Sequence, residues 1–258
     1  MKTLQRASDP APTSLAAISA ALEDKSPEQI LRWAIATFYP GLTMATAFGA
    51  EGCVLMAMLS EIRPQGRNVR VFNLETGYQF PETLELRERI RERYGITVEY
   101  VRAAEPVVAM ERRLGGPIYA TDPDECCRLR KIEPLKRAVD GYTAWISAIR
   151  RDQTPDRALA KIVEWDSKFG LVKINPLANW TKRDVWTYIT INEVPYNPLH
   201  DQGYSSIGCW PCTRAIQHGE DERAGRWANF IKLECGLHSR PVRSGEREEI
   251  EAGVAAAR

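Results

Sequence analysis

The six cysteines of this 258-residue chain carry its most distinctive chemistry, and they fall into three kinds. Cys126 and Cys127 are adjacent at an expected helix start, and Cys209-Trp210-Pro211-Cys212 follows 82 residues after Cys127. Four thiolates suit either zinc or an iron–sulfur cluster, since both accept four soft sulfur ligands. A structural zinc ribbon draws on two C-x-x-C knuckles, for which an adjacent Cys-Cys pair is poor geometry. The pattern therefore favours iron–sulfur, with inert buried thiols as the plain alternative. Cys53 opens the apolar run Cys53-Val54-Leu55-Met56 and is expected to pack as a small hydrophobe. Cys235 is different, because Lys232, His238 and Arg240 lie close in sequence and cationic neighbours favour the nucleophilic thiolate. Gly236 gives its backbone freedom to reach or retract, and no cysteine follows it, so an adduct there needs an external thiol.

Three short segments could hold an anion. Phe48-Gly49-Ala50-Glu51-Gly52 places two glycines between an expected strand and a helix N-terminus, where backbone N–H groups are free. Glu75-Thr76-Gly77-Tyr78 is a second polar turn. Arg150-Arg151-Asp152-Gln153 offers paired guanidiniums, which clamp phosphate or sulfate oxygens in bidentate fashion or, less interestingly, make surface ion pairs.

The elements that would position these segments are legible from pattern. Ser26-Pro27-Glu28-Gln29 caps a helix running through Tyr39, and Leu42 to Phe48 reads as a buried strand. Glu51 to Ile62 carries an apolar helical pattern, Val69 to Leu74 a second strand, Pro81 to Tyr94 a charged helix, and Thr97 to Arg102 a third strand. Tyr142 to Ile149, Leu171 to Ile174 and, more weakly, Lys161 to Trp165 supply further strands, and Thr181 caps a last clear helix. Alternating strands and helices imply an α/β fold with a doubly wound, mostly parallel sheet. In such sheets ligands sit beyond the carboxyl ends of the strands, which is where the loops after the first, second and fourth strands fall.

Residues 1–25 are expected to form a flexible leading segment with a short helix near Leu15 to Leu22. An α/β domain should span 26–215 and a loop-rich segment 216–258. Composition is that of a globular protein, 44% hydrophobic and 27% charged, with 35 Lys+Arg against 34 Asp+Glu. The resulting net charge of +1 offers no field to recruit nucleic acid or an anionic membrane. No apolar stretch approaches ~18 residues, and the N-terminus lacks a secretory pattern, so a reducing cytoplasm is the expected location.

Longer motifs then accumulate. They are Cys126-Cys127 with Lys131, Arg150-Arg151-Asp152-Gln153-Thr154-Pro155, Asn175-Pro176-Leu177, and Tyr196-Asn197-Pro198-Leu199-His200-Asp201-Gln202-Gly203-Tyr204. Ser206-Ile207-Gly208-Cys209-Trp210-Pro211-Cys212-Thr213-Arg214, Asp221 to Trp227, and Glu234-Cys235-Gly236-Leu237-His238 complete the set. In these the chain resembles the assimilatory adenylyl-sulfate (APS) and phosphoadenylyl-sulfate (PAPS) reductases over residues 27–238. The resemblance implies an adenine nucleotide alpha hydrolase-like fold, of the PP-loop ATP pyrophosphatase kind. It implies a 4Fe–4S cluster on Cys126, Cys127, Cys209 and Cys212 with Lys131 adjacent, and Cys235 as nucleophile. Substrate contacts are expected from Thr46, Phe48, Gly49, Ala50, Glu51, Glu75, Thr76, Gly77, Arg150, Arg151, Arg223, Arg226 and His238, with Arg223 and Arg226 the firmer pair. Two departures stand out. Thr46-Ala47-Phe48 replaces the family's usual serine-bearing start of the first loop, and Glu75 replaces an aspartate.

In cluster-bearing members of that family the usual substrate is APS, although some also accept PAPS, so the expected reaction is APS to sulfite and AMP through a cysteine S-sulfonate that reduced thioredoxin, or a glutaredoxin-like donor, resolves. A PAPS-preferring or dual APS/PAPS reductase is the nearest rival. An adenylating ATP pyrophosphatase and a zinc-stabilised nucleic-acid-binding module fit less well, the first for want of a Ser-Gly-Gly-x-Asp-Ser loop and the second on net charge. The oligomeric state is left open, a homo-oligomer included.

Overall fold

The structure, a computed structural model, describes residues 12–62, 67–228, 230, 232 and 234–238. Its first two helices are α1 (Pro12–Leu22) and α2 (Pro27–Phe38). The expected capping box opens α2: Ser26 Oγ accepts the Gln29 N–H while the Gln29 side chain accepts the Ser26 N–H. Strand β1 (Leu42–Thr46) follows, then α3 (Ala50–Ile62), β2 (Arg70–Glu75), α4 (Pro81–Tyr94) and β3 (Val98–Arg102). Strands β1 and β2 are buried along almost their whole length because both faces of the sheet are covered by helices. Helix α3 is apolar almost all round for the same reason, and Val54, Leu55, Met56 and Met58 are fully buried.

Helix α5 (Val107–Leu114) comes next. It is followed by a helical run of α6 (Pro123–Cys127), one π turn (Arg128–Ile132) and α7 (Glu133–Val139). Pattern reading foresaw only the start of this run. Pro134 lacks an N–H to continue the ladder, and the wider π turn just before it takes up the mismatch while changing the aim of Lys131. The chain ends its regular structure with β4 (Ala144–Ile146), β5 (Val163–Asp166), β6 (Leu171–Ile174) and α8 (Lys182–Asn192), the last capped by Thr181 as expected.

The six strands lie in the order β3-β2-β1-β4-β6-β5, parallel throughout except that β5 runs antiparallel to β6 at the edge. This is the doubly wound, mostly parallel sheet expected. Its order reverses between β1 and β4, and such a switch point opens a crevice at the strands' carboxyl ends. Strand β4 is shorter than expected because the chain turns away after Ile146 to line that crevice with Ser147, Ala148, Ile149 and Arg150.

Helix α1 does not belong to a loose leader. Leu15 is buried in the main core, Ser19 Oγ accepts the Val163 N–H, and Glu23 binds Arg151. Arg151 also donates to Asn179 and to the Ala160 carbonyl, joining α1, the loop before β5 and the loop before α8. Its guanidinium holds the Glu23 carboxyl below the usual range. Replacing this half-buried hub should cost about 1–2 kcal/mol after solvent screening. Arg151→Ala is accordingly expected to lower the urea midpoint of unfolding and to speed amide exchange over residues 12–22, measured by mass spectrometry.

Candidate active site

A cavity of about 230 Å³ sits over the switch point. From the β1–α3 loop it takes Thr46, Gly49, Ala50, Glu51 and Gly52, placing the N-terminal turn of α3 in its wall. Thr46 Oγ1 accepts the Phe48 N–H at 3.0 Å, and Gly52 packs so closely on that hydroxyl that an added Cβ would lie 2.6 Å from it. Phe48 itself adopts a positive φ of 56° and buries its ring in the main core, so its contribution is to bend the loop rather than to line the cavity. Glu51 faces the cavity but is engaged: it accepts from Arg150 and, at 3.0 Å, from Gln153 Nε2.

Arg150 is the hub on the β4 side. It is 1% exposed and lies among three carboxylates, those of Glu51, Asp152 at 2.8 Å and Glu222 at 3.8 Å. Its backbone is extended, so the next side chain points the opposite way, and Arg151 leaves the cavity for the α1 contacts described above. The expectation that both arginines face one anion is therefore corrected to Arg150 alone.

The turn after β2 divides similarly. Thr76 lines the cavity and places its Oγ1 3.3 Å from Cys209 Sγ. Glu75, by contrast, accepts the Gly77 N–H and pairs with Arg102, outside the cavity. Gly77, at a φ of 79°, lies against Val107 and the buried Arg130, whose Nε donates to the Thr76 carbonyl. Glu75 and Gly77 thus build the turn that holds the second cysteine pair. The Trp210 N–H donates to the Tyr78 carbonyl at 2.8 Å.

Arg223 and Arg226 enter from the C-terminal segment. Arg226 lies over the Trp227 ring at 4.4 Å and against Gly208, where any Cβ would meet its guanidinium at 2.3 Å. Arg223 reaches Ser206 and Glu234; burial, with Arg226 and Arg157 nearby, depresses it to about 10 despite the Glu234 carboxylate, so it stays charged near neutrality. Among the described residues, Arg150 Nη2, Arg226 Nε, Trp145 Nε1, Trp227 Nε1 and His238 Nδ1 are buried without a protein hydrogen-bond partner. All five residues line this one cavity, and a polar, electron-rich ligand would satisfy them.

The tail closes the cavity. Cys235 lies in its wall between Glu234 and Gly236, whose φ of 84° suits glycine. Lys168 donates to the Gly236 carbonyl, Leu237 packs on the Phe72, Leu135 and Trp145 cluster, and His238 stacks on Trp145 at 5.9 Å with planes 5° apart. Burial, with Lys173, Arg157, Arg223 and Lys168 around it, drives the His238 imidazole well below its ordinary pKa. Arg157, Gln153, Glu234 and Trp145 had no role assigned from sequence. Trp145 reads there as an ordinary strand apolar, and the partners of the others lie far along the chain.

Cys126, Cys127, Cys209 and Cys212 share a second, much smaller cavity with Tyr78, Arg130 and Lys131. Burial, then Cys127 and Cys209, push Cys126 up to about 12, and burial also raises Cys127 and Cys212. Burial opposes the charge on Lys131, but Cys209, Cys127 and Cys235 outweigh it and hold the ammonium above the usual lysine range. Lys131 lines both cavities and so stands between them. No three His, Cys, Asp or Glu side chains among the described residues are gathered as ligands of one metal ion. Four soft donors around one enclosed space, which cannot all ionise without added positive charge, still suit a group that puts separate metal atoms under separate thiolates. Cys53 is buried and raised to about 12 by desolvation, the packed hydrophobe expected.

The crevice at the sheet's switch point thus sets a tail thiol beside buried arginines. Residues 41–215 match the model of the phosphoadenosine phosphosulfate reductase domain. The chain belongs to that family and is an oxidoreductase. It is 47% identical over 210 residues to adenosine 5'-phosphosulfate reductase 2 of Bacillus subtilis, covering 81% of this chain and 88% of that one. It is 44% identical over 230 residues to phosphoadenosine 5'-phosphosulfate reductase of Gloeobacter violaceus, covering 88% and 94%. The crystal structure of phosphoadenylyl-sulfate reductase from Candida auris in a phosphate complex superposes with a TM-score of 0.71 at 32% identity, covering 81% of this chain and 100% of that one.

The titration of His238 gives the tail a pH dependence. Once released, the imidazole takes a proton near its ordinary pKa of about 6.5, whereas seated it does not, so seating loses stability as pH falls below that value. The Glu234 carboxyl, held low chiefly by Arg157 against burial, weakens the seat only below about 4.5. Amide exchange of residues 234–238, corrected for intrinsic rates, is expected to be faster at pH 5.5 than at pH 7.5.

Proposed function

We propose that the chain reduces adenylyl sulfate to sulfite and AMP in assimilatory sulfate reduction. The reading is carried by one juxtaposition: the Cys235 thiol lines the same cavity as Arg150, Arg223 and Arg226. The nucleotide would lie across the switch point, its phosphosulfate among these guanidiniums and near Lys131 and the α3 N-terminus. The Cys235 thiolate attacks the sulfate sulfur. A sulfur–sulfur bond forms, the sulfur–oxygen bond to phosphate breaks, and AMP leaves with that electron pair, its charge met by the arginines. The product is a cysteine S-sulfonate. One thiol of a reduced dithiol protein of the thioredoxin kind then attacks Cys235 Sγ and releases sulfite. The second thiol frees Cys235 and leaves the donor as a disulfide.

Cys126, Cys127, Cys209 and Cys212 would hold a 4Fe–4S cluster, which when bound supplies the counter-charge their thiolates need. Lys131, standing between the two cavities, then directs positive charge at the reacting sulfate. Among the described residues no helix is long and apolar enough to cross a membrane, and the six cysteines are free thiols; both fit work in a reducing cytoplasm. Because one close relative is named for the phosphoadenylyl substrate, turnover should be compared with both nucleotides.

Incubated with adenylyl sulfate and no reductant, the protein is expected to gain about 80 Da at Cys235, as addition of SO₃ to a thiol requires. In Cys235→Ser the adduct vanishes while AMP still binds, and an adduct persisting in that variant would displace Cys235 as nucleophile. Anaerobically purified protein should carry about four irons per chain. Cys209→Ser should lose iron and the brown colour together, read by metal analysis and visible absorption.

A further inference from the structure

Among the described residues Cys235 makes no hydrogen bond or ion pair of its own, so something else must hold its sulfur in place. The residue before it does so on geometric grounds. Glu234 is the charged member of the tail segment 234–238 with a side chain only 4% exposed. Arg157, itself buried, grips it with two parallel bonds, Nε to Oε1 at 2.7 Å and Nη2 to Oε2 at 2.8 Å. Thr154 Oγ1 donates to Oε1 at 3.2 Å, and Arg223 Nη2 stands 3.7 Å from Oε2. Arg157 is fixed in turn, because its Nη1 donates to Gln153, whose amide donates to Glu51.

The fork therefore runs from the tail to the loop after β4, 77 residues away, and ends on the helix turn that walls the cavity. The other tail contacts are a lysine on one carbonyl, one leucine and one ring stack, and none has the directionality of a buried two-bonded ion pair.

We propose that the Glu234–Arg157 ion pair is the seat of the catalytic cysteine. Glu234 is thus a positioning residue that fixes Cys235 Sγ at the substrate cavity, and its release frees the tail for the external thiol. The consequence for the reaction rests on the function proposed above; the seating does not.

The experiment measures three things on Glu234→Gln: alkylation of Cys235 by iodoacetamide, read by peptide mapping, the Kd for AMP, and the single-turnover rate of sulfonation without reductant. Breaking a buried ion pair should raise alkylation of Cys235 about tenfold or more and slow sulfonation by a similar factor, with any change in AMP affinity, through Arg223, smaller than either. Glu234→Asp, which keeps the charge, should recover part of both. Arg157→Gln combined with Glu234→Gln should do no more damage than either change alone. Thr154→Val removes only the outer hydroxyl and serves as the mild variant if the others fail to fold; it should raise alkylation by a few-fold. Alkylation unchanged in Glu234→Gln overturns the proposal, as does an effect confined to AMP affinity. Faster alkylation in a protein whose wild type forms no sulfonate would leave the seat standing and remove the proposed function instead.

Discussion

Guanidinium groups cannot be left in a protein interior without counter-charge, and this constraint organises the molecule. A cavity meant for a polyanion must concentrate positive charge before the ligand arrives. Arg150, Arg157 and Arg223 are all buried or nearly so, and each leans on carboxylates: Glu51, Asp152 and Glu222 for the first, Glu234 for the other two. These acids come from helix α3, the loop after β4 and the C-terminal segment. The charge balance of the cavity is therefore also what ties three distant stretches of chain together. The site's charge balance is thus built from contacts that exist only in the folded chain.

The sheet and most of its helices were legible because their signals are local. Ser26 and Gln29 three residues apart, Pro81 at a helix start, Gly95 at its end and the apolar run of β1 each act within a few residues. The location of the site followed from the alternation of strand and helix. What stayed hidden depends on direction or distance. Arg150 and Arg151 are indistinguishable as letters, yet extended backbone sends one into the cavity and the other out to α1. Phe48 sits in an anion-loop position but turns into the core at a positive φ. Arg157 and Glu234 meet across 77 residues, and no spacing rule announces such a pair. The short helix near Leu15 to Leu22 is legible within an Ala-, Ser- and Pro-rich segment, but its attachment is not, because its apolar residues gain meaning only once β5 lies beneath them.

The two cysteine sites are structurally interlocked. The turn after β2 gives Thr76 to the substrate cavity and, through the Tyr78 carbonyl and Thr76 Oγ1, grips the C-x-x-C loop. The same loop holds the arginine segment: the Trp227 N–H donates to the Cys212 carbonyl and the Arg214 N–H to the Gly225 carbonyl. The C-x-x-C loop therefore helps to set where Arg226 stands.

The antiparallel edge strand has a further meaning. An outer strand offers a row of backbone groups on which another chain can add, and β5 is such a strand, with Trp165 half in solvent. Helix α1 lies across it, and Ser19 takes up the Val163 N–H that β6 leaves over. The helix thus covers the start of that edge, where an added strand would otherwise meet an unpaired N–H, and Glu23 and Arg151 clasp it there.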